Sequence, residues 1–232
     1  MHRFTFILIL LFSGCHSAPP DDLRQASLEQ THSYEEFKNE IVQTRNKIKE
    51  QYVAADSHEK DSIVGYSAQF LRNMTPEIFN YWYGTDWDFN GITQKPKEGK
   101  IACGYFVTTV IRDLGFNIPR STWAQLPSES MIKKLNSSVK PFFNKPVEAV
   151  ITWFRNRPDA VYVVGLDTHV GFVYKEGKTL KFVHANYYEP DSKVVSQNLK
   201  GNNPINDASY RVVGQLFEAE MVKKWILNEA YE

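Results

Sequence analysis

Residues 100–120 read Lys-Ile-Ala-Cys-Gly-Tyr-Phe-Val-Thr-Thr-Val-Ile-Arg-Asp-Leu-Gly-Phe-Asn-Ile-Pro-Arg, and the rest of the chain is organised around this stretch. Its apolar residues recur at the spacing of one helix face, at Phe106, Val107, Val110, Ile111 and Leu114. Gly115 and Pro119 then end the pattern. Cys103 therefore lies at or just before the first turn of a helix that enters a core. Unpaired backbone N–H groups and the helix dipole favour a thiolate there.

The composition is that of a globular protein with one sizeable core, or one core and a small helical appendage. Of the 232 residues, 42% are hydrophobic and 14% are aromatic. Lys and Arg together number 27, as do Asp and Glu, and the chain has no polybasic run. A protein that binds nucleic acid needs a basic excess to neutralise phosphates. We therefore expect no nucleic-acid partner.

The N-terminus is typical of an export signal. An apolar run over residues 4–12 is too short to span a bilayer, and it ends in Leu11-Phe12-Ser13-Gly14-Cys15. This ending resembles a bacterial lipoprotein signal, in which residues 1–14 are removed and Cys15 is lipidated; plain secretion is the alternative. The polar residues 15–32 then form a tether. We expect a protein of the cell envelope, anchored by lipid at the outer membrane or the periplasmic face.

Export changes the interpretation of the cysteines. The chain has only two, and an acylated Cys15 would leave Cys103 without an intrachain disulfide partner. A lone thiol outside the cytoplasm indicates a reactive residue, although a small buried hydrophobic residue is the other reading.

The remaining patterns predict an α+β fold. Ser33 and Glu36 form a capping box before a helix that reaches about residue 54. A second helix starts near residue 56 or 57 and buries Ile63, Tyr66 and Phe70. These helices form an N-terminal segment over residues 33–78, ahead of a main domain over residues 79–232. In that domain, β-branched and aromatic runs predict strands near 161–164, 168–174, 179–188 and 211–217, with helices near 147–154 and 218–230.

Residues 80–99 are rich in aromatic and turn-forming residues and have two readings. They form either an apolar lid over the core or a wall of the cleft beside Cys103.

Two histidines, His169 and His184, follow the cysteine and lie in the predicted strands. A two-residue hairpin loop at Glu176-Gly177 would place them directly opposite each other, within hydrogen-bonding reach. A cysteine nucleophile needs one imidazole to take its proton and a polar neighbour to hold that imidazole. We therefore assign His169 as the base and His184 as the orienting residue, with Asn186 as an alternative orienting residue.

At this point the chain resembles the NlpC-type cell-wall cysteine peptidases, a papain-like family. The family pattern runs from an aromatic-glycine segment to a Cys that opens a helix, then to Pro-Arg-Ser/Thr-x-x-Gln, a His-Val-Gly strand and a strand ending in apolar-His-Ala. The corresponding segments here are Tyr81-Trp82-Tyr83-Gly84, Cys103, Pro119-Arg120-Ser121-Thr122-Trp123-Ala124-Gln125, His169-Val170-Gly171 and Val183-His184-Ala185.

The resemblance implies a papain-like domain whose Cys103 helix packs on an antiparallel sheet and which cleaves amide bonds in peptidoglycan stem peptides. Cys103 would be the nucleophile, His169 the base and His184 the third polar residue. Tyr81, Gly104 and Trp123 would contact the substrate, and no metal or cofactor would be needed. The chain departs from the family at Ala102 and at Gly104-Tyr105, where the family has Asp and Ser-Gly. Those family residues help bind the amino end of the stem peptide, so the resemblance does not extend to the usual substrate preference.

Two other functions fit the same residues. Cys103, His169 and His184 could be three ligands of a catalytic zinc ion, although the sequence offers no evident fourth ligand. Alternatively, the domain could be a non-catalytic cell-wall-binding module or an acyltransferase. The sequence does not indicate the oligomeric state.

Overall fold

The computed structural model describes residues 33–136, 138–190 and 192–232. The expected signal peptide, the tether and the lipidated Cys15 lie outside these residues. The described chain forms one compact unit over Tyr34–Glu232. None of the helices in the described residues combines the length and the apolar character that crossing a membrane requires.

The architecture is a six-stranded antiparallel sheet with helices on both faces, together with a separate two-stranded parallel ribbon. The helices are α1 (Tyr34–Ala54), α2 (Ser57–Trp82), α3 (Cys103–Asp113), α4 (Arg120–Ala124), α5 (Ser128–Leu135), α6 (Val147–Arg155), α7 (Pro204–Asp207) and α8 (Ala219–Leu227). The strands are β1 (Asp86–Trp87), β2 (Lys100–Ile101), β3 (Lys140–Phe143), β4 (Ala160–Leu166), β5 (Val170–Glu176), β6 (Thr179–Ala185), β7 (Val194–Asn198) and β8 (Tyr210–Gln215). The large sheet has the order β3-β8-β4-β5-β6-β7. This arrangement confirms the predicted α+β class.

The sheet is buried on both faces, and β4 shows this most clearly. All seven of its residues are buried, because successive side chains enter different cores. Val161 and Val163 pack in the core shared with α1, α2, α3 and α8. Tyr162 and Val164 pack in the core formed with α6. The helix that carries Cys103 therefore lies on a sheet that is held rigid from both sides.

The two N-terminal helices are part of the same core as α3. The Tyr34 hydroxyl of α1 donates a hydrogen bond to Asp113 of α3 at 2.7 Å and accepts one from Trp82 of α2 at 2.9 Å. The expected boundary between residues 78 and 79 falls inside α2, which continues to Trp82. The helical segment is thus continuous with the core that positions Cys103.

The hairpin that carries the histidines has a different register from the predicted one. Glu176 pairs with Thr179, so the loop is Gly177-Lys178 and not Glu176-Gly177. The physical reason is the backbone of Gly177, whose φ of +53° suits a glycine in a tight turn. Extending the ladder puts Gly171 opposite His184, two residues from His169. Because the displacement is an even number of residues, both histidines stay on one face of the sheet.

Candidate active site

Cys103 is the first residue of α3, as the sequence predicts, and it is partly buried. The preceding Ala102 is extended, and its N–H donates to the Gly91 carbonyl at 2.8 Å. One turn later, the Phe106 ring lies 5.8 Å from the Phe172 ring of β5. A backbone hydrogen bond before the helix and an aromatic contact after it therefore fix the start of α3 against the sheet.

Gly104 allows α4 to lie directly on the start of α3. A Cβ atom at this position would be only 2.2 Å from the Ala124 carbonyl oxygen. Any larger residue would push α4 away from the thiol, so glycine at position 104 has a steric reason here. Gly104 also lines the cavity beside Cys103.

The two buried histidines and the partly exposed Gln197 form a hydrogen-bonded chain. Nε2 of His169 lies 2.9 Å from Nδ1 of His184, and Nε2 of His184 lies 3.0 Å from Oε1 of Gln197. The absence of a side chain at Gly171 makes room for this chain, because a Cβ there would be 2.8 Å from the Cβ of His184. The histidines thus meet on a diagonal of the ladder and not as a direct pair.

The direction of these hydrogen bonds determines which nitrogen can act as a base. The Gln197 oxygen can only accept, so His184 donates from Nε2 and, when neutral, has an unprotonated Nδ1. That Nδ1 accepts the Nε2 proton of His169. Nδ1 of neutral His169 is then a lone pair, and this buried atom has no hydrogen-bond partner in the described part of the chain. This nitrogen has the lone pair that a base needs, and in this structure Cys103 makes no hydrogen bond to it.

Burial keeps all three groups neutral in the resting protein. It lowers the pKa of His169 well below its ordinary value, and the neighbouring His184 lowers it further. Burial also lowers the pKa of His184 to about 4, although the bond to Gln197 opposes the shift. Burial raises the pKa of the Cys103 thiol above its ordinary value. Hydrogen bonds from the backbone N–H groups of Val170, Gly104 and Cys103 lower it, but by less than burial raises it. Desolvation therefore opposes the thiolate that the helix start favours, and we expect a protonated thiol in the resting state.

The alkylation rate of Cys103 tests this resting state. With a protonated thiol, the rate of reaction with iodoacetamide should keep rising into the alkaline range, with a midpoint above the pKa of an ordinary cysteine. The measurement is made on a Cys15→Ser variant, so that Cys103 is the only thiol, with Cys103→Ser added as the blank. A rate that is already constant at mildly acidic pH would indicate a thiolate–imidazolium pair instead.

Two adjoining cavities, together called the groove, share the thiol and the imidazole in their linings. A large cavity of about 540 Å³ and a small cavity of about 310 Å³ are both lined by Cys103 and His169, and both reach Gly104 and Gln125. An extended substrate lying along the groove would pass over the sulfur atom with groups on either side of it.

The aromatic segment after α2 forms one wall of the large cavity. Trp87, Phe89, Asn90 and Ile92 line it, which agrees with the cleft-wall reading for this part of the segment. Tyr187 lines the same cavity, with its ring 5.2 Å from the His169 ring and 5.8 Å from the Trp87 ring. Tyr187 thus contacts both His169 and the aromatic wall.

Two of the expected substrate contacts are not in the groove. Tyr81 is buried in the core, with its ring 5.2 Å from Tyr34 and 5.4 Å from Phe37. Trp123 is also buried, edge-on to Tyr231 at 5.6 Å. Both assignments are corrected because each ring fills a core position, while the neighbouring Ala124 and Gln125 line the groove.

Sequence reasoning missed Gln197 and proposed Asn186 in a similar role. Asn186 makes hydrogen bonds with the backbone of Tyr188, accepting from its N–H at 3.1 Å and donating to its carbonyl at 3.2 Å. Gln197 lies on β7, an edge strand with alternating burial that the sequence analysis did not predict. β7 pairs with β6 so that Gln197 faces Phe182 and Val195 faces His184. Gln197 is therefore the diagonal neighbour of His184 on the same face of the sheet, and a prediction of β7 would have brought the two together.

The three candidate residues are not arranged as metal ligands. In residues 33–136, 138–190 and 192–232, no group of three or more His, Cys, Asp or Glu side chains could hold a metal ion. Nε2 of His169 and Nδ1 of His184 are hydrogen-bonded to each other, so they do not both point at one position where a metal ion could sit. The zinc reading has no geometric support.

Comparisons of this chain with protein-family models, curated proteins and solved structures find no match. The chemistry of the site therefore carries the functional argument.

Proposed function

We propose that this protein is an exported cysteine hydrolase, with a papain-like domain of the NlpC type, that cleaves amide bonds in peptidoglycan stem peptides. The observation that carries the proposal is the Gln197–His184–His169 hydrogen-bonded chain, which leaves Nδ1 of His169 without a partner in the described residues, on a side chain that lines the same cavities as Cys103. A helix start on an antiparallel sheet supports the papain-like assignment. The lipid anchor at Cys15 would hold the enzyme at the envelope, where its substrate occurs.

The proposed mechanism starts from neutral groups. Nδ1 of His169 takes the Cys103 proton as the sulfur attacks the amide carbon. The oxyanion that forms lies near the first N–H groups of α3, which have no partner within the helix. The imidazolium then gives its proton to the leaving amine, and a thioester remains on Cys103. A water molecule, deprotonated by His169, hydrolyses this thioester and restores the thiol.

The hydrogen-bonded chain supports this proton transfer. When His169 becomes protonated, its Nε2–H still donates to His184, and His184 still donates to Gln197. No rearrangement of hydrogen bonds is therefore required between the two protonation states. The hydrogen bond to His184 and the edge-on contact with Tyr187 also restrict rotation of the imidazole.

Product analysis on purified muropeptides tests the proposal. We expect one amide bond to be cleaved, with product masses that sum to the substrate plus one water. The Cys103→Ser variant should bind the same muropeptides and lose about 1,000-fold or more of the turnover. A product in which the acyl group is joined to an amine would indicate an acyltransferase. Unchanged turnover by Cys103→Ser would contradict the proposal.

A further inference from the structure

A further cavity lies at the end of the large sheet that carries the β5–β6 loop. It has a volume of about 430 Å³ and forms where this loop, the end of β7 and the last turns of α6 meet. Part of its lining is apolar, since Ile151 and Leu180 pack on the core that also buries Leu199. His184 follows Leu180 by four residues on β6, a distance of about 13 Å along the strand. The cavity is therefore separate from the groove beside Cys103.

Four cationic side chains from four parts of the chain line this cavity, which we call the basic cavity. They are Arg155 in the last turn of α6, Lys178 in the β5–β6 loop, Lys181 on β6 and Lys200 after β7. In the part of the chain that the structure describes, no Asp or Glu side chain lines it. The whole chain has 27 basic and 27 acidic residues, so this excess of positive charge is local.

The protein neutralises little of this charge. Lys200 pairs with Glu148 at 2.7 Å, and both side chains are largely exposed. Lys181 donates to the neutral amide oxygen of Asn198 at 2.9 Å and keeps its charge. The other two cationic side chains make no hydrogen bond or ion pair within the described residues. Three positive charges in the cavity are thus left without a carboxylate partner.

Two acidic residues beside the β5–β6 loop are bonded elsewhere. Asp159 accepts from Nζ of Lys175 at 2.6 Å and from the N–H of Gly177 at 3.0 Å. Glu176 accepts from the Tyr174 hydroxyl. A bound anion, and not a rotation of these carboxylates, would therefore supply the missing negative charge.

We propose that the basic cavity binds a phosphate monoester. Such a group carries up to two negative charges and three acceptor oxygens, and the guanidinium of Arg155 can meet two of these oxygens at once. A carboxylate has one charge and would leave most of the cations unpaired. The hydroxyl of Thr179 and the amide of Asn198 add neutral hydrogen-bonding groups, and the apolar lining suits the carbon part of the ester. The inference does not depend on the chemistry at Cys103.

Calorimetric titration of the full chain tests the cavity, with Cys15→Ser introduced to prevent lipidation. The ligands are glycerol 3-phosphate, inorganic phosphate and glycerol, at constant ionic strength. We expect saturable binding of glycerol 3-phosphate, weaker binding of inorganic phosphate and no binding of glycerol. Arg155→Gln combined with Lys178→Gln should weaken glycerol 3-phosphate binding by about tenfold or more. Both side chains are exposed and without partners in the described residues, so this variant should fold.

The matched control removes two positive charges outside the cavity. Lys47→Gln combined with Lys145→Gln changes two exposed lysines and should alter the dissociation constant by less than about twofold. Equal weakening in the two double variants would indicate general attraction by net charge and would overturn the proposal. A lack of saturable binding of glycerol 3-phosphate would overturn it as well. Tighter binding of inorganic phosphate than of the ester would contradict the assignment of an ester.

Vesicle sedimentation identifies the source of the phosphate monoester. The same proteins are mixed with phosphatidylcholine vesicles, with and without phosphatidic acid, which presents a phosphate monoester on its headgroup. Sedimentation that requires phosphatidic acid and is lost in the cavity variant, but not in the control variant, would support a lipid headgroup as the ligand. Binding of glycerol 3-phosphate without such sedimentation would support a soluble phosphate ester.

Discussion

Replacing His169 by asparagine is expected to lower kcat/KM for muropeptide cleavage by about 1,000-fold or more. The substitution removes Nδ1, the only ring nitrogen of the Gln197–His184–His169 chain that its own hydrogen bonds leave free as a base. The measurement is steady-state kinetics on a single purified muropeptide. Because His169 is 3% exposed, thermal unfolding of the variant must be recorded alongside the kinetics to show that it is folded.

The Gln197–His184–His169 hydrogen-bonded chain also predicts how the losses of kcat/KM rank among three variants. Gln197→Ala acts on the base only through His184, so its loss of kcat/KM should be smaller than that of His169→Asn. His184→Asn should fall between the two, because it removes the direct partner of His169. A folded His169→Asn variant with turnover near the wild-type value would contradict the assignment of His169 as the base.

Acidification from pH 6.5 to 4 is expected to reduce the free energy of unfolding by about 3 kcal/mol through His184 alone. Burial lowers the pKa of this imidazole to about 4, so in this range the unfolded chain binds a proton that the folded chain does not. Stability therefore rises with pH and is lost on acidification. His169 is shifted in the same direction. For a protein of this size the midpoint of thermal unfolding should fall by roughly 10 °C.

The control for this prediction is His184→Asn, which keeps a polar side chain but does not titrate. Carboxylate groups also take up protons between pH 4 and 5, and they do so in both proteins. The difference in slope between the two stability curves therefore reports the titration of His184 together with the part of the His169 shift that His184 causes. Identical slopes for wild type and variant would show that His184 is not held neutral by burial.

The helix that carries the cysteine was predictable because its own residues determine it. The buried residues of α3 include Phe106, Val107, Val110 and Ile111, the positions that the spacing indicates. The strands of the histidine hairpin were predictable for the same reason, since β-branched and aromatic residues fill β5 and β6.

The packed face of α2 was predicted in part. Ile63 and Phe70 are partly buried against the core as the spacing indicates, whereas Tyr66 is 63% exposed. The fully buried positions are one residue further along, at Val64 and Leu71. Apolar spacing does not indicate this face, because two of its buried positions are the polar residues Ser67 and Thr75. Each hydroxyl donates to a carbonyl four residues earlier at 2.8 Å and so can be buried without loss.

The rest of the site depends on contacts that are distant in sequence. Gln197 reaches His184 only because β7 pairs with β6, and that strand is short, polar on one face and at the edge of the sheet. Tyr81 and Trp82 extend α2 because Tyr34 of α1 packs against both rings. Local pattern carries no information about either contact.

The most direct test of the central claim is the mass of Cys103 during turnover. The protein is mixed with its muropeptide substrate, quenched in acid, digested and analysed by mass spectrometry. We predict that the peptide containing Cys103 gains the mass of the acyl half of the substrate, and that Cys103→Ala neither forms this adduct nor cleaves the substrate. An unmodified Cys103 in a protein whose Cys103→Ala variant cleaves at the wild-type rate would contradict the account.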